Sequence, residues 1–98
     1  MKIAKEAIVG TLESSDLLVK VAPNDSGNLD IVIRSEVIKQ FGKQIRRVID
    51  ETLSKLEVSE GTIIVEDKGA LDYAIRARVQ SAVLRGVASE ELNWEQLS

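Results

Sequence analysis

The sequence predicts an α+β fold: a two-layer sandwich with a mainly antiparallel four-stranded sheet and two helices on one face, in the order βββαβα. Three observations predict it. Apolar residues alternate with a period of two along the first part of the chain and return in a short β-branched run at Thr62-Ile63-Ile64-Val65-Glu66, as half-buried and buried strands require. After Ser35, and again after Gly69, the period becomes that of an amphipathic helix. The strand connections are short and rich in turn residues, so the strands are expected to pair by hairpins. Two amphipathic helices then need one shared apolar surface, and one sheet face supplies it.

The first strand is expected over Lys2 to Leu12, with Ile3, Ala7, Ile8, Val9 and Leu12 as its apolar residues. Glu13-Ser14-Ser15-Asp16 turns the chain into the second strand, where Leu17, Val19 and Val21 alternate with Leu18, Lys20 and Ala22. Pro23-Asn24-Asp25-Ser26-Gly27-Asn28 is a dense turn signal, and Pro23 ends the ladder bonding of the strand before it. In the third strand Leu29, Ile31 and Ile33 alternate with Asp30, Val32 and Arg34. The first helix carries Val37, Ile38, Phe41, Ile45, Val48, Ile49, Thr52, Leu53 and Leu56 on one face, with Ser35 as its expected N-cap and Glu36 in its first turn. The second helix is expected over Ala70 to Arg85, with Leu71, Ala74, Ile75, Val79, Ala82 and Val83 as its stripe and Gly86 as its stop. The tail from Ser89 to Ser98 holds Trp94 and Leu97, which are expected to dock in part.

Composition bounds the function. Ninety-eight residues make a single expected domain, 1–98, long enough for one core without staples. Hydrophobic residues at 44% and a net charge of −3 exclude a disordered chain. There is no Cys and no His. That excludes a disulfide framework, a Ser-His-Asp triad, His-based acid–base work and the usual zinc sites. No apolar run is long enough to cross a membrane, and the first residues have no signal-peptide core, so the expected compartment is the cytoplasm. An acidic balance argues against general nucleic-acid binding. The composition fits a non-catalytic binding or carrier module better than an independent enzyme.

Few residues carry chemistry. Ser14 and Ser15 lie between Glu13 and Asp16 in a hairpin turn. Their ordinary role is to satisfy turn backbone; their functional role would be a modification site, served by a separate transferase because no base lies nearby in sequence. Arg46, Arg47, Arg76, Arg78 and Arg85 form a basic set along the two helices. Solvated ion pairs are the ordinary reading, and a phosphate-holding or docking surface is the functional one. Arg78 lies at the edge of its helix's apolar stripe, where it needs a carboxylate of this chain or a ligand. Glu66, Asp67 and Asp72 read as strand-end, turn and first-turn acids, too few and too spread for a metal loop. Gly69 stands alone and makes no phosphate loop. The residues by themselves leave a carrier and an adaptor that binds partners through its helix faces both open.

Three stretches then point to a family. Gly10-Thr11-Leu12-Glu13-Ser14-Ser15-Asp16-Leu17 is similar to the N-terminal signature of the citrate lyase acyl carrier protein, the gamma subunit of that complex. Val37 to Val48 resembles a second family stretch, and Glu66 to Asp72, continuing through Ile75 to Arg85, a third. Tyr73, the Asn24-to-Asn28 turn and the tail from Val87 lie outside the match. The resemblance implies a covalently attached phosphoribosyl-dephospho-CoA, joined by a phosphodiester to Ser14 by a dedicated transferase. It implies a carrier of acetyl and citryl thioesters between the alpha (acyltransferase) and beta (lyase) subunits, as citrate is cleaved to oxaloacetate and acetate. Arg76 and Arg78 are then candidate contacts for the arm or for a partner subunit. Asp25-Ser26-Gly27 imitates the Asp-Ser of ordinary acyl carrier proteins, but there the Ser opens a helix; here it reads as a turn.

Overall fold

The computed structural model describes residues 1–87; Trp94 and Leu97, expected to dock, lie outside the described residues. The elements are β1 (Ala7–Gly10), β2 (Leu17–Ala22), β3 (Leu29–Ser35), α1 (Ile38–Lys55), β4 (Gly61–Asp67) and α2 (Asp72–Gly86). They follow the predicted βββαβα order. The sheet order is β1-β2-β4-β3. β1 pairs antiparallel with β2, β2 antiparallel with β4, and β3 parallel with β4.

One expected hairpin does not exist. β2 and β3, despite their short connection, do not pair; β4 lies between them. The reason lies in α1. A helix between two strands carries the chain back over the sheet, so β3-α1-β4 closes as a parallel unit with its strands adjacent. β4 also suits the interior better. Ile63 and Val65 are fully buried, whereas β3 exposes Asp30, Val32 and Arg34 along its edge. The 23–28 segment therefore passes over the start of β4. Gly61 donates its N–H to the Asn28 carbonyl at 3.1 Å. Asn24 Nδ2 donates to Thr62 Oγ1 at 3.1 Å. Ser26 is spent on the same loop: its hydroxyl donates to Asn24 Oδ1 at 3.1 Å and accepts from the Asn28 N–H.

The ends of the elements also differ from expectation. β1 is four residues, not the eleven from Lys2 to Leu12. Residues 2–5 instead close the far end of the molecule. Ile3 is buried there, and the Ala4 and Lys5 N–H groups donate to the Gly86 carbonyl at 2.8 and 2.9 Å. Gly86 stays helical, and its small size is what matters, because a Cβ would lie 2.6 Å from Val21 Cγ2. Ser35 is the last residue of β3 rather than the N-cap, and α1 begins at Ile38 with no side-chain cap. Glu36 falls outside the helix and pairs with Lys68 at 2.9 Å.

The core lies between the helices and one sheet face. Ile45, Val48, Ile49 and Leu53 of α1 and Ile75, Val79 and Val83 of α2 cover Leu17, Val19, Val21, Ile63 and Val65. Each such side chain contributes roughly 1.5–3 kcal/mol by burial. One end of this sandwich gathers the turn 11–16, the link 35–37, the loop 68–71 and the first turns of both helices.

Candidate functional site

The Ser14 turn sits at that end. Gly10 closes β1 at φ +97°, a left-handed conformation that side chains rarely adopt. A Cβ there would lie 2.0 Å from the Leu17 carbonyl oxygen, so no other residue fits without moving the hairpin. The Asp16 N–H then donates to the Glu13 carbonyl at 3.1 Å, which puts Ser14 and Ser15 at the two central positions of a tight turn. Ser15 takes φ +66°. Its N–H donates to the Lys68 carbonyl at 2.8 Å, and the Lys68 N–H donates to the Asp16 carbonyl at 2.9 Å. The turn is thus stitched to the β4–α2 loop by two main-chain bonds.

Asp16 is the brace of the turn. Its carboxylate accepts from Thr11 Oγ1 at 2.7 Å and from the Leu17 N–H at 2.8 Å. It also accepts a forked pair from Arg78, Nε at 3.2 Å and Nη2 at 3.0 Å. Arg78 reaches the hairpin from α2, so the carboxylate that its position demanded is in this chain. The Asp16 side chain is 18% exposed and Arg78 40%. The Thr11 hydroxyl first, then the Leu17 N–H and Arg78, hold the Asp16 carboxyl below its ordinary pKa against the opposing effect of burial.

Ser14 itself is exposed, and its hydroxyl has no hydrogen-bond partner among the described residues. Asp16 already accepts four donors and cannot serve as a base for it. The chemistry available at Ser14 is acceptance of a group delivered from outside. The donor set fits a phosphodiester there: a free hydroxyl on a stiff turn, with an Arg78 guanidinium in the same network whose Nη1 Asp16 does not use.

The other sequence candidates separate. Arg76 lies on another flank of α2, beside Glu51 and Lys55 of α1 and Leu56 just beyond it. Arg46 pairs with Asp50 at 3.0 Å, and Arg47 with Glu51 at 3.9 Å, both as turn-spaced pairs within α1. The three acids go to separate partners. Glu66 meets Arg34 at 3.4 Å, and Asp72 accepts from Gln44 at 2.7 Å. Asp67 is buried and accepts from the Ser35 hydroxyl and from the Gly69 and Ala70 N–H groups, at 2.8, 3.1 and 2.9 Å. Asp67 is therefore the strut of the 68–71 loop. Sequence reasoning missed Thr11 and Lys68 as parts of the site. Thr11 carried a signal, five residues ahead of an acid across a turn; Lys68 contributes only main-chain atoms to the turn and carried none.

Residues 4–86 match the family described as malonate decarboxylase delta subunit (MdcD). The chain is 66% identical over 97 residues to the citrate lyase acyl carrier protein of Pectobacterium atrosepticum, covering 99% of this chain and 100% of that protein. It is 67% identical to that of Albidiferax ferrireducens, covering 99% of each, and 50% identical to that of Vibrio cholerae over the full length of both. The chain belongs to the citrate lyase acyl carrier protein family. Its fold is that of a chain in a Pseudomonas malonate decarboxylase hetero-tetramer solved with malonate, at a TM-score of 0.75 and 22% identity over 85% of this chain and 84% of that one. By name, these relatives are the acyl carriers of citrate lyase.

Proposed function

We propose that residues 1–98 act as a single non-catalytic carrier domain, the acyl carrier subunit of a cytoplasmic citrate lyase, with Ser14 as the attachment residue. The group is phosphoribosyl-dephospho-CoA, joined to Ser14 Oγ through a phosphodiester by a dedicated transferase. When bound, it supplies the thiol that this chain lacks. The chain carries acetyl and citryl groups between the alpha and beta subunits while citrate is cleaved to oxaloacetate and acetate. Thr11, Asp16 and Arg78 hold the turn so that the hydroxyl faces solvent and the incoming transferase. Arg78 also offers its remaining Nη1 donor to the new phosphate, its Nε and Nη2 being held by Asp16. Arg76, on its separate flank, is a contact for a partner subunit.

The observation that supports this reading most is the exposed, unpartnered Ser14 hydroxyl on a turn braced by exposed and part-buried side-chain bonds. Intact mass after co-expression with the transferase tests it. The chain should gain the mass of phosphoribosyl-dephospho-CoA, Ser15→Ala should gain it too, and Ser14→Ala should not. An unmodified chain beside a demonstrably active transferase would leave the adaptor reading in its place.

A further inference from the structure

Next to the Ser14 turn lies an apolar groove that the core does not use. It runs between the first turns of α1 and α2, has a volume of ≈ 570 Å³, and is lined by Phe41, Gln44, Ile45, Leu71, Asp72 and Ile75 among others. That size falls within the ordinary range for a small-molecule site, roughly 300–1,000 Å³. Phe41 belongs to the helix face that the sequence assigns to the core, yet it is 47% exposed, and Leu71 is 64% exposed. Gln44 and Asp72 bridge the two helices at the groove with a 2.7 Å hydrogen bond. An apolar wall with a few polar groups suits a ligand of alternating methylene and amide segments.

We infer that this groove is the resting site for the pantetheine portion of the chain's own Ser14-linked arm, an inference that rests on the carrier reading above. The place of the tether carries it. Ser15, next to Ser14, bonds to the Lys68 carbonyl, and Gly69, Ala70 and Leu71 then form the near wall of the groove. The turn that carries Ser14 is therefore bonded, through Ser15 and Asp16, to the residue immediately before the groove's near wall. A group tethered so close is present at an effective concentration of about millimolar, so a groove with an intrinsic dissociation constant of about 0.1 mM holds it roughly nine-tenths of the time. Affinity that weak still releases the arm readily to a partner site. Charge is compatible as well: Arg78, beside the turn, can keep the phosphate end at the hairpin while the neutral pantetheine end reaches the apolar wall.

The test uses isotopically labelled chain loaded by its transferase, with full loading checked by intact mass and a nitroxide attached to the arm's thiol. At the occupancy given above, methyl signals of Ile45, Leu71 and Ile75 should broaden to less than about half their unloaded intensity, while Ile8 and Val32 on the opposite sheet face keep theirs. Phe41→Ser and Leu71→Ser, both at exposed positions, should each reduce the broadening at the remaining groove residues and leave the hairpin signals unchanged. A fully loaded chain whose broadening stays on residues 11–16, or spreads evenly over the surface, would overturn the inference while leaving Ser14 as the carrier residue. Concentration-dependent shifts of the same groove residues in unloaded chain would assign the groove to a second copy instead. A chain without added mass would overturn the carrier reading and this inference together.

Discussion

Replacing Asp16 by Asn tests whether the brace at the Ser14 turn acts through its charge. The two carboxylate oxygens are fully used: one takes the Leu17 N–H and Arg78 Nε, the other the Thr11 hydroxyl and Arg78 Nη2. An Asn side chain keeps one of these oxygens and turns an N–H2 toward the donors at the other. The Thr11 hydroxyl can rotate to accept from that amide; Arg78 Nη2 cannot. One charge-assisted bond is lost, together with the attraction between the ions. Such a bond contributes about 1.5–3 kcal/mol when well buried, but Arg78 is 40% exposed, and solvent screening reduces it to about 1–2 kcal/mol. For a domain of this size that lowers Tm by roughly 4–16 °C.

The pH dependence gives the same experiment a sign. The Asp16 carboxyl is lowered in the folded chain, so between its folded and unfolded pKa values the unfolded chain binds more protons, and stability rises with pH across that window. The Asp16 contribution is fully present above its unfolded value of about 3.9 and is lost as pH falls through the folded value. Thermal unfolding of the parent and of Asp16→Asn should therefore differ by the amounts above at pH 7 and converge in acid. Loading of the folded variant by the transferase should slow several-fold, because the turn keeps its Lys68 main-chain bonds but loses part of its side-chain brace. A difference that persists unchanged into acid, or equal Tm values at pH 7, would refute the charge-paired brace.

Other predictions follow from the same geometry. Gly10→Ala must place a Cβ 2.0 Å from the Leu17 carbonyl at φ +97°, and should cost at least about 2 kcal/mol in a denaturant melt while impairing loading of Ser14. Asp67→Ala strands the Ser35 hydroxyl and two loop N–H groups; it should cost about 2–4 kcal/mol, with amide exchange at Gly69 and Ala70 rising ahead of the sheet. Ile49→Ala removes a fully buried side chain of the α1 face and should cost about 2–5 kcal/mol in urea without selectively altering Ser14 loading of the folded chain. Ser14→Ala, at an exposed position with no partner among the described residues, should leave the unfolding free energy within about 0.5 kcal/mol of the parent's while abolishing the mass gain.

What could be read from the sequence divides along a physical line. Periodicity is a local property, so β2, β3, β4 and the central parts of both helix stripes follow from side-chain spacing, while Ile38, Phe41 and Leu71 at the stripe ends are left exposed. Pairing is not local. The Pro23-to-Asn28 turn is as compatible with a crossing over the end of β4 as with a hairpin, and only the α1 crossover decides which occurs. Element ends depend on partners distant in sequence. Ser35 looks like an N-cap, but α1 starts only at Ile38, and the Ser35 hydroxyl accepts the Val37 N–H ahead of the helix while donating to Asp67, thirty-two residues on, at 2.8 Å. Lys2 to Glu6 looks like strand until Glu60 and Gly86 supply its bonds. Phe41 fits a core stripe by spacing, and only the shape of the space between the first turns of α1 and α2 leaves it half uncovered.

The candidate site divides the same way, and that division bears on how the turn works. Ser14 is legible because it lies in a continuous motif. Its brace is assembled from Thr11 and Asp16 in the hairpin and Arg78, sixty-two residues beyond Asp16. An isolated two-stranded hairpin is marginal in water, and β1 is four residues long at the edge of the sheet. The turn therefore cannot rely on its own ladder for stiffness. It takes its rigidity from α2 through Arg78 and from the β4–α2 loop through Lys68, both anchored to the core. The hydroxyl can then stay unpartnered and exposed while the Glu13, Ser15 and Asp16 N–H groups around it are held. That separation keeps Ser14 Oγ free and its position fixed, which its proposed role as the attachment residue of a carrier requires.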